Sequence, residues 1–163
     1  MRAVLWITED TWEACVDQAA AILPGDADVI LLHVSPGDVE ELAGRGGPRL
    51  LGRHPPPLPG PPLRVIAEDE AQELLGEART RLNRAAQTIS RRGRVEREVV
   101  AACDGADLLI LARDGERRLG PKSLAKHTRF VVDHAPCQVL LVWAEPPPAT
   151  DTIPPPPPPK HPH

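Results

Sequence analysis

The sequence predicts an α/β fold: a single doubly wound sheet of five parallel strands with helices on both faces. Short apolar runs of strand length alternate with segments of helical periodicity, the pattern of consecutive βαβ units. Most of the 21 prolines fall within residues 48–62 and 146–162. The rest of the 163-residue chain has an ordinary composition and is long enough to form one core. A two-domain enzyme is therefore excluded.

The first βαβ unit occupies the N-terminal part of the chain. Residues 2–8 form a short apolar run, which predicts a strand. Residues 10–13 place an aspartate three positions before a glutamate, a helix-start pattern, and apolar side chains follow at helical spacing until Pro24 and Gly25. Residues 28–34 are again mostly apolar and predict a second buried strand.

An insertion rich in proline and glycine interrupts this pattern at residues 35–66. It is longer than the loops of most compact domains, so we expect it to be functional or mobile. Helical periodicity resumes over residues 67–84. Acidic side chains gather at the start of this segment and arginines at its end, as the helix dipole favours.

The second half of the chain continues the alternation. Residues 86–91 predict a short polar strand, residues 95–103 a short helix, and residues 107–112 the clearest buried strand of the chain. After a loop of mixed charge, Ser123 is expected to cap a helix that ends before Pro136.

Residues 137–143 predict the last strand, so that residues 1–144 form one domain. Residues 145–163 form a proline-rich tail, which is expected to be disordered because it cannot bury enough apolar surface. Its hexaproline, residues 154–159, should form a polyproline II rod. Such a rod serves as a spacer or, alternatively, as a docking ligand for an aromatic groove.

The overall composition excludes several classes of function. Nineteen basic against 23 acidic residues give a net charge of −4, which argues against a nucleic-acid partner. The three cysteines, Cys15, Cys103 and Cys137, lie far apart without a CxxC pair and indicate reduced thiols. No apolar stretch approaches the ~20 residues that span a bilayer, and Glu9 interrupts the apolar start too early for a signal peptide. We expect a soluble, cytoplasmic protein without a membrane partner.

The residues that could carry catalysis are isolated from one another. Cys137 begins a buried strand, so its closeness in sequence to His134 indicates packing rather than nucleophilic catalysis. His33 lies inside an apolar strand and is expected to be a hydrogen-bonded core residue. His161 and His163 lie on the tail, where two histidines seldom form a metal site. The sequence thus predicts no catalytic set and no metal site.

Two other classes of doubly wound protein are excluded. A receiver domain needs a phosphate-accepting aspartate after its third strand and a lysine after its fifth, where residues 91–92 (Arg-Arg) and 144–145 (Ala-Glu) stand. A dinucleotide-binding domain needs a GxGxxG turn directly after its first strand, where residues 8–11 (Thr-Glu-Asp-Thr) stand.

Several segments together resemble the universal stress protein family. They are residues 105–111 (Gly-Ala-Asp-Leu-Leu-Ile-Leu), the loop with Gly115, and residues 132–142, which include His-Ala-Pro-Cys. Residues 31–34 (Leu-Leu-His-Val) resemble the second strand of the family. The resemblance covers nearly all of the folded part and implies a flavodoxin-like sheet in the order 3-2-1-4-5.

The resemblance also implies where a nucleotide would bind. Open α/β sheets place ligands at the topological switch point, here between strands 1 and 4. Family members that bind ATP carry Gly-x2-Gly-x9-Gly-Ser/Thr there, because glycine lets the backbone approach phosphates. In this chain the four positions hold Ala112, Gly115, Ala125 and Lys126, so one glycine is kept. With the positions that match the adenine-contacting aspartate and the second-strand valine, the candidate nucleotide-binding residues are Thr8, Val34, Ala112, Arg113, Gly115, Ala125 and Lys126.

Residues 113–126 carry more basic than acidic side chains, which permits two interpretations. Their arginines and lysines could hold an anionic ligand by charge. Alternatively, they form a solvated loop in a protein that has lost nucleotide binding. The second interpretation is favoured, because most of the motif is gone and a fold does not carry a function without its site. No cofactor is firmly implied, and ATP remains the alternative.

The last strand predicts how the protein assembles. Residues 137–143 form an apolar sheet edge, which favours pairing with a second copy, and the family resemblance also implies dimers through this strand. We expect a non-catalytic stress-response protein that acts as a homodimer through contacts with an unidentified protein partner. The alternative is a sensor of ATP or another adenine nucleotide that uses the 112–126 loop, which would allow slow ATP hydrolysis.

Overall fold

Five strands and four helices alternate along residues 1–37 and 61–159, the part of the chain that the computed structural model describes. In chain order they are β1 (Arg2–Trp6), α1 (Trp12–Ile22), β2 (Asp28–Pro36), α2 (Pro61–Leu82), β3 (Gln87–Gly93), α3 (Val95–Ala102), β4 (Leu108–Arg113), α4 (Lys126–His134) and β5 (Gln138–Trp143). Short 3-10 turns lie at Pro121–Ser123 and Thr150–Thr152. Most of the predicted insertion and both tail histidines, His161 and His163, lie outside the described residues.

The strands form one parallel sheet in the order β3-β2-β1-β4-β5, which confirms the predicted fold class and the strand order that the resemblance implies. β1 is central: Leu5 lies opposite Leu31 of β2 on one side and Ile110 of β4 on the other. These three side chains are fully buried, because helices cover both faces of a parallel sheet.

Alternate side chains of the strands enter two separate cores. Ala3, Leu5 and Ile7 belong to the core that also contains side chains of α1 and α2. Val4 and Trp6 belong to the core that contains side chains of α3 and α4. The period of two along β1 therefore explains why its apolar run is continuous: both faces of the strand are covered.

Two elements extend into the predicted insertion. α2 begins at Pro61 rather than at residue 67. Proline is compatible with the first turn of a helix, where the backbone N–H groups have no helical partner in any case. β2 extends to Pro36, which lies opposite Gly93 of β3. The insertion predicted at residues 35–66 is therefore shorter, since regular structure enters it from both ends.

Two cysteines that are far apart in the sequence meet in the fold. Cys103 directly follows α3, and Cys137 directly precedes β5. At the start of β5, Gln138 N–H donates to the carbonyl of Asp107, the residue before β4 (3.3 Å). Both cysteines belong to the core under α3 and α4, and their thiols are hydrogen-bonded to each other. All three cysteines are free thiols, and Cys15 is buried in the opposite core.

Within the described residues, no helix is both long and apolar enough to cross a membrane.

Candidate functional site

The topological switch point lies where the carboxyl ends of β1 and β4 stand side by side. After β1 the chain crosses to the face covered by α1, and after β4 it crosses to the face covered by α4. The resulting crevice is the place where open α/β sheets bind ligands. Two of the predicted site residues, Thr8 and Ala112, line it.

The crevice is nearly filled by the side chains of the protein. Its cavity has a volume of about 10 Å³, which is room for about one water molecule. The residues around it include Trp6, Thr8, Thr11, Ala112, Asp114 and Thr128. Thr8 Oγ1 and Thr11 Oγ1 are 2.7 Å apart, so these two hydroxyls are hydrogen-bonded to each other. No nucleotide fits into this volume.

Asp114 caps α4 from across the crevice. Its Oδ1 accepts the Ala125 backbone N–H (2.9 Å), and its Oδ2 accepts the Thr128 hydroxyl (2.6 Å). The N-terminus of a helix is a natural anion site, because its N–H groups lack partners and the helix dipole is positive there. In this protein the anion at that position is a carboxylate of the chain itself.

This arrangement corrects the prediction that Ser123 caps the helix. α4 begins at Lys126, three residues later than that prediction requires, and Ser123 is fully buried in the preceding 3-10 turn. The Ser123 hydroxyl donates to the Gly120 carbonyl (2.7 Å) and accepts from the Arg113 guanidinium (2.5 Å). The side chain of Ser123 therefore stabilises the loop and not the helix.

The glycine that the family motif retains here has a structural reason. Gly115 N–H donates to the Ser123 carbonyl (3.0 Å), and Glu116 N–H donates to the Lys122 carbonyl (2.8 Å), so the loop folds back on itself. A Cβ atom at Gly115 would lie 2.3 Å from the Lys122 carbonyl oxygen, far inside van der Waals contact. Glycine is required at this position by the close approach of its own loop.

The basic side chains of residues 113–122 are engaged in local contacts. Arg113 lies over the Trp143 ring, with its guanidinium carbon 4.9 Å from the ring centroid. Arg117 pairs with Glu145 (3.4 Å), while Arg118 and Lys122 pair with Glu116 at 3.5 and 4.0 Å. The excess positive charge of this stretch is therefore partly neutralised by neighbouring carboxylates.

A larger cavity of about 400 Å³ adjoins the crevice at the carboxyl ends of β1, β4 and β5, and the predicted site residues Arg113 and Gly115 line it. Arg113 and Arg117 line it together with the carboxylates of Asp10, Glu116 and Glu145. Acidic groups thus outnumber the two arginines, which disfavours an anion as its ligand.

The remaining predicted site residues lie apart from the crevice. Val34 is a buried member of the core under α3 and α4. Ala125 contributes only its N–H, which Asp114 occupies. Lys126 faces a different cavity, between α3 and α4. The structure therefore does not bring the seven predicted residues together into one site.

The cavity between α3 and α4 has a volume of about 360 Å³ and was not predicted from the sequence. Its lining includes Arg97, Lys126, His127, Arg129, Phe130 and His134. The spacing of residues 126, 129, 130, 133 and 134 places them on one face of a helix, and this spacing can be recognised in the sequence. The sequence gives no indication, however, that the side chains of α3 lie opposite them.

The histidines and the cysteine considered in the sequence are engaged in other contacts. His134 Nδ1 donates to the Phe130 carbonyl (2.7 Å), and Cys137 is hydrogen-bonded to Cys103 rather than to a base. His33 binds the Ile7 carbonyl through Nδ1 (2.9 Å), as expected of a core histidine. Within residues 1–37 and 61–159, no three metal-ligating side chains converge.

Comparison with known proteins identifies relatives of the fold. No family model matches the sequence, and no curated protein is similar to it. Three solved structures superpose over most of the chain. The universal stress protein UspA from Lactobacillus plantarum is 18% identical, with 87% of this chain and 97% of that chain covered and a TM-score of 0.55. A universal stress protein family protein from Arabidopsis thaliana with AMP bound is 13% identical, with coverages of 90% and 93% and a TM-score of 0.59.

A universal stress protein in complex with cAMP is 15% identical, with 89% of this chain and 98% of that chain covered and a TM-score of 0.57. The chain therefore has the fold of the universal stress proteins, as the resemblance in its sequence predicts.

Proposed function

We propose that this chain is a non-catalytic, cytoplasmic stress-response protein that acts as a homodimer and holds no ATP at its switch point. The observation that carries this proposal is the Asp114 carboxylate, which occupies the N-terminus of α4. In nucleotide-binding proteins of this architecture, that position receives a phosphate. Here the carboxylate holds Ala125 N–H and the Thr128 hydroxyl at that terminus.

Electrostatics favours the internal carboxylate over an added phosphate. Two unit charges 4 Å apart repel by about 4 kcal/mol at the effective dielectric constant of a site near the surface. A phosphate group that approached α4 would meet the Asp114 charge at a comparable distance. It would also have to displace Asp114 from Ala125 N–H and the Thr128 hydroxyl.

The edge strand β5 supports the proposed dimer. Val139, Leu140, Leu141 and Val142 are apolar and only partly buried within one chain. They pack against both cores, Leu140 and Val142 against one and Val139 and Leu141 against the other. A second copy placed along this edge would bury the remaining apolar surface and pair the free backbone groups.

A sensor of adenine nucleotides is the second candidate. Two structural neighbours were solved with AMP and cAMP, respectively. A nucleotide at the switch point of this chain would require Asp114 to release α4 and the crevice to merge with the neighbouring 400 Å³ cavity. The two candidates therefore differ in whether the Asp114 carboxylate stays bonded to α4 or releases it.

Amide NMR of the full chain distinguishes the two candidates. We expect 1 mM ATP with Mg²⁺ to leave the signals of residues 8–11 and 112–115 unchanged. Micromolar affinity with shifts at these amides would overturn the proposal and establish the sensor. Asp114→Ala frees Ala125 N–H and the Thr128 hydroxyl, and inorganic phosphate should then shift the signals of residues 112–115, which it leaves unchanged in the wild type. Asp26→Ala removes an exposed carboxylate remote from the crevice and should change nothing.

A further inference from the structure

We propose that the groove between α3 and α4 binds a small, phosphate-bearing ligand. This α3–α4 groove is defined by Arg97 on α3 and by Lys126, Arg129, Phe130 and His134 on α4. It lies on the outer surface of the two helices. The switch-point crevice lies elsewhere, at the carboxyl ends of the central strands β1 and β4. The proposal is independent of whether the crevice takes a nucleotide.

The groove is positive in a protein of negative net charge. Four cationic side chains line it against the carboxylates of Glu96 and Asp133, whereas the whole chain carries −4. Glu96 is already neutralised, because its carboxylate binds His127 Nδ1 at 2.8 Å and Arg94 at 3.3 Å. Asp133 remains as the acidic group to set against Arg97, Lys126 and Arg129. The surplus of cations favours a ligand with at least two negative charges, such as a phosphate monoester.

Two of the cations, Arg97 and Arg129, are held in place before any ligand binds. The guanidinium carbon of Arg97 lies 5.3 Å from the Phe130 ring centroid. The Phe130 ring stacks on His134 with centroids 4.0 Å apart and an interplanar angle of 15°. Arg129 donates to the Pro121 carbonyl. Side chains fixed in this way lose less conformational entropy when a ligand binds.

The size of the groove selects a small molecule over a polymer. Its volume of about 360 Å³ is at the lower end of small-molecule sites. α3 has eight residues and is therefore about 12 Å long. An extended acidic peptide or a nucleic acid would pass beyond both ends of the groove. The guanidinium groups of Arg97 and Arg129 suit phosphate oxygens, which accept paired N–H donors.

The test is an amide NMR titration of the full chain with inorganic pyrophosphate at about 0.15 M salt, where exposed charges are screened beyond ~8 Å. We expect saturable shifts confined to residues 94–102 and 126–134. The variant Arg97→Gln/Arg129→Gln should bind pyrophosphate at least 10-fold more weakly. The matched control Arg79→Gln/Arg81→Gln removes two exposed arginines from α2, on the opposite face of the sheet, and should bind like the wild type.

Three outcomes would overturn the proposal. They are no shift at 10 mM pyrophosphate, a loss of pyrophosphate binding in the control variant as large as in Arg97→Gln/Arg129→Gln, or tighter binding of an acidic peptide than of pyrophosphate. Far-ultraviolet circular dichroism confirms that each variant is folded. Shifts at residues 112–115 in the same titration would count against the proposed function and not against the groove. The variant Asp114→Ala should leave pyrophosphate binding in the groove unchanged, which separates the two results.

Discussion

Glu96 is a single residue whose charge links the folding of α3 and α4. It lies in the first turn of α3, is 7% exposed, and binds His127 of α4 and Arg94. Burial acts to raise the pKa of Glu96. Its own backbone N–H, His127 and Arg94 outweigh that effect, so the pKa lies below its ordinary value of 4.5. Because the folded state binds the proton more weakly than the unfolded chain, the ionised carboxylate stabilises the fold above that value.

We therefore expect Glu96→Gln to be less stable than the wild type at pH 7. The stability that the Glu96 carboxylate contributes is lost as the pH falls through its lowered folded pKa, so the difference between the two proteins should shrink between pH 5 and pH 3. Urea unfolding at pH 7, 5 and 3 measures both. Glu77→Gln, at an exposed position of α2, is the control. A difference for Glu96→Gln that is independent of pH would contradict this account.

The thiols should be poor nucleophiles while the protein is folded. Burial raises the pKa of Cys15 and of Cys103 to about 12, and it also raises the pKa of Cys137. Little thiolate, the reactive form, is therefore present at pH 8. We expect all three cysteines to react with an aromatic disulfide reagent at least 10-fold more slowly in the native protein than in urea. Native Cys137 reacting as fast as free cysteine would refute this prediction.

At the scale of elements, the sequence patterns identified every strand and helix of the described sheet. They did so because a strand that is covered on both faces, such as β4, has a continuous apolar run. A helix that is covered on one face has apolar residues at helical spacing. Boundaries were harder to predict where a residue suits two structures. Pro61 is typical of a loop but begins α2, and Ser123 is typical of a helix cap but is buried in a 3-10 turn.

One arginine just beyond α2 binds the connection between α1 and β2, in addition to the ion pair of Arg81 on α2 with Asp17 on α1. The Arg84 guanidinium donates to the backbone carbonyls of Pro24 at 2.6 Å and Gly25 at 2.8 Å, and it lies near those of Leu23 and Ala27. Hydrogen bonds from a charged donor contribute more than neutral ones. Arg84 therefore holds the α1–β2 connection against the end of α2.

We expect Arg84→Ala to lower the free energy of unfolding by about 1–2 kcal/mol. Arg84→Lys should recover only part of this, because an ammonium group cannot reach several carbonyls with a planar fork. Urea unfolding at pH 7 measures both variants, with Arg79→Ala on the exposed face of α2 as the control. Equal stability of Arg84→Ala and Arg79→Ala would show that the connection does not need this contact.

At the scale of the whole molecule, the position of the site was easier to predict than its contents. The switch point follows from strand order alone. The role of Asp114 depends on how the loop after Gly115 folds back, which no local pattern specifies. The α3–α4 groove and the meeting of Cys103 with Cys137 depend on helices and strands that are remote in sequence. Such juxtapositions are properties of the tertiary fold.

The two edges of the sheet give the assembly prediction a matched test. We expect the wild type to have twice the chain mass of 17.7 kDa in light scattering after gel filtration. Leu141 on β5 and Ile89 on β3 are both partly buried and pack against the same core. Leu141→Lys should therefore dissociate the dimer, since a charge at an edge opposes pairing, while Ile89→Lys should not. Dissociation by both variants alike, or by neither, would argue against a dimer formed through β5.

The internal cap of α4 also has a thermodynamic consequence. A domain that needs a ligand to complete a helix is stabilised by RT ln(1 + [L]/Kd), so its melting temperature follows the concentration of that ligand. Here Asp114 is covalently part of the chain and is always present at full occupancy. The stabilisation that this contact gives the folded state is therefore the same at every ligand concentration. On the function proposed above, a drop in cellular ATP would therefore leave the amount of folded protein unchanged.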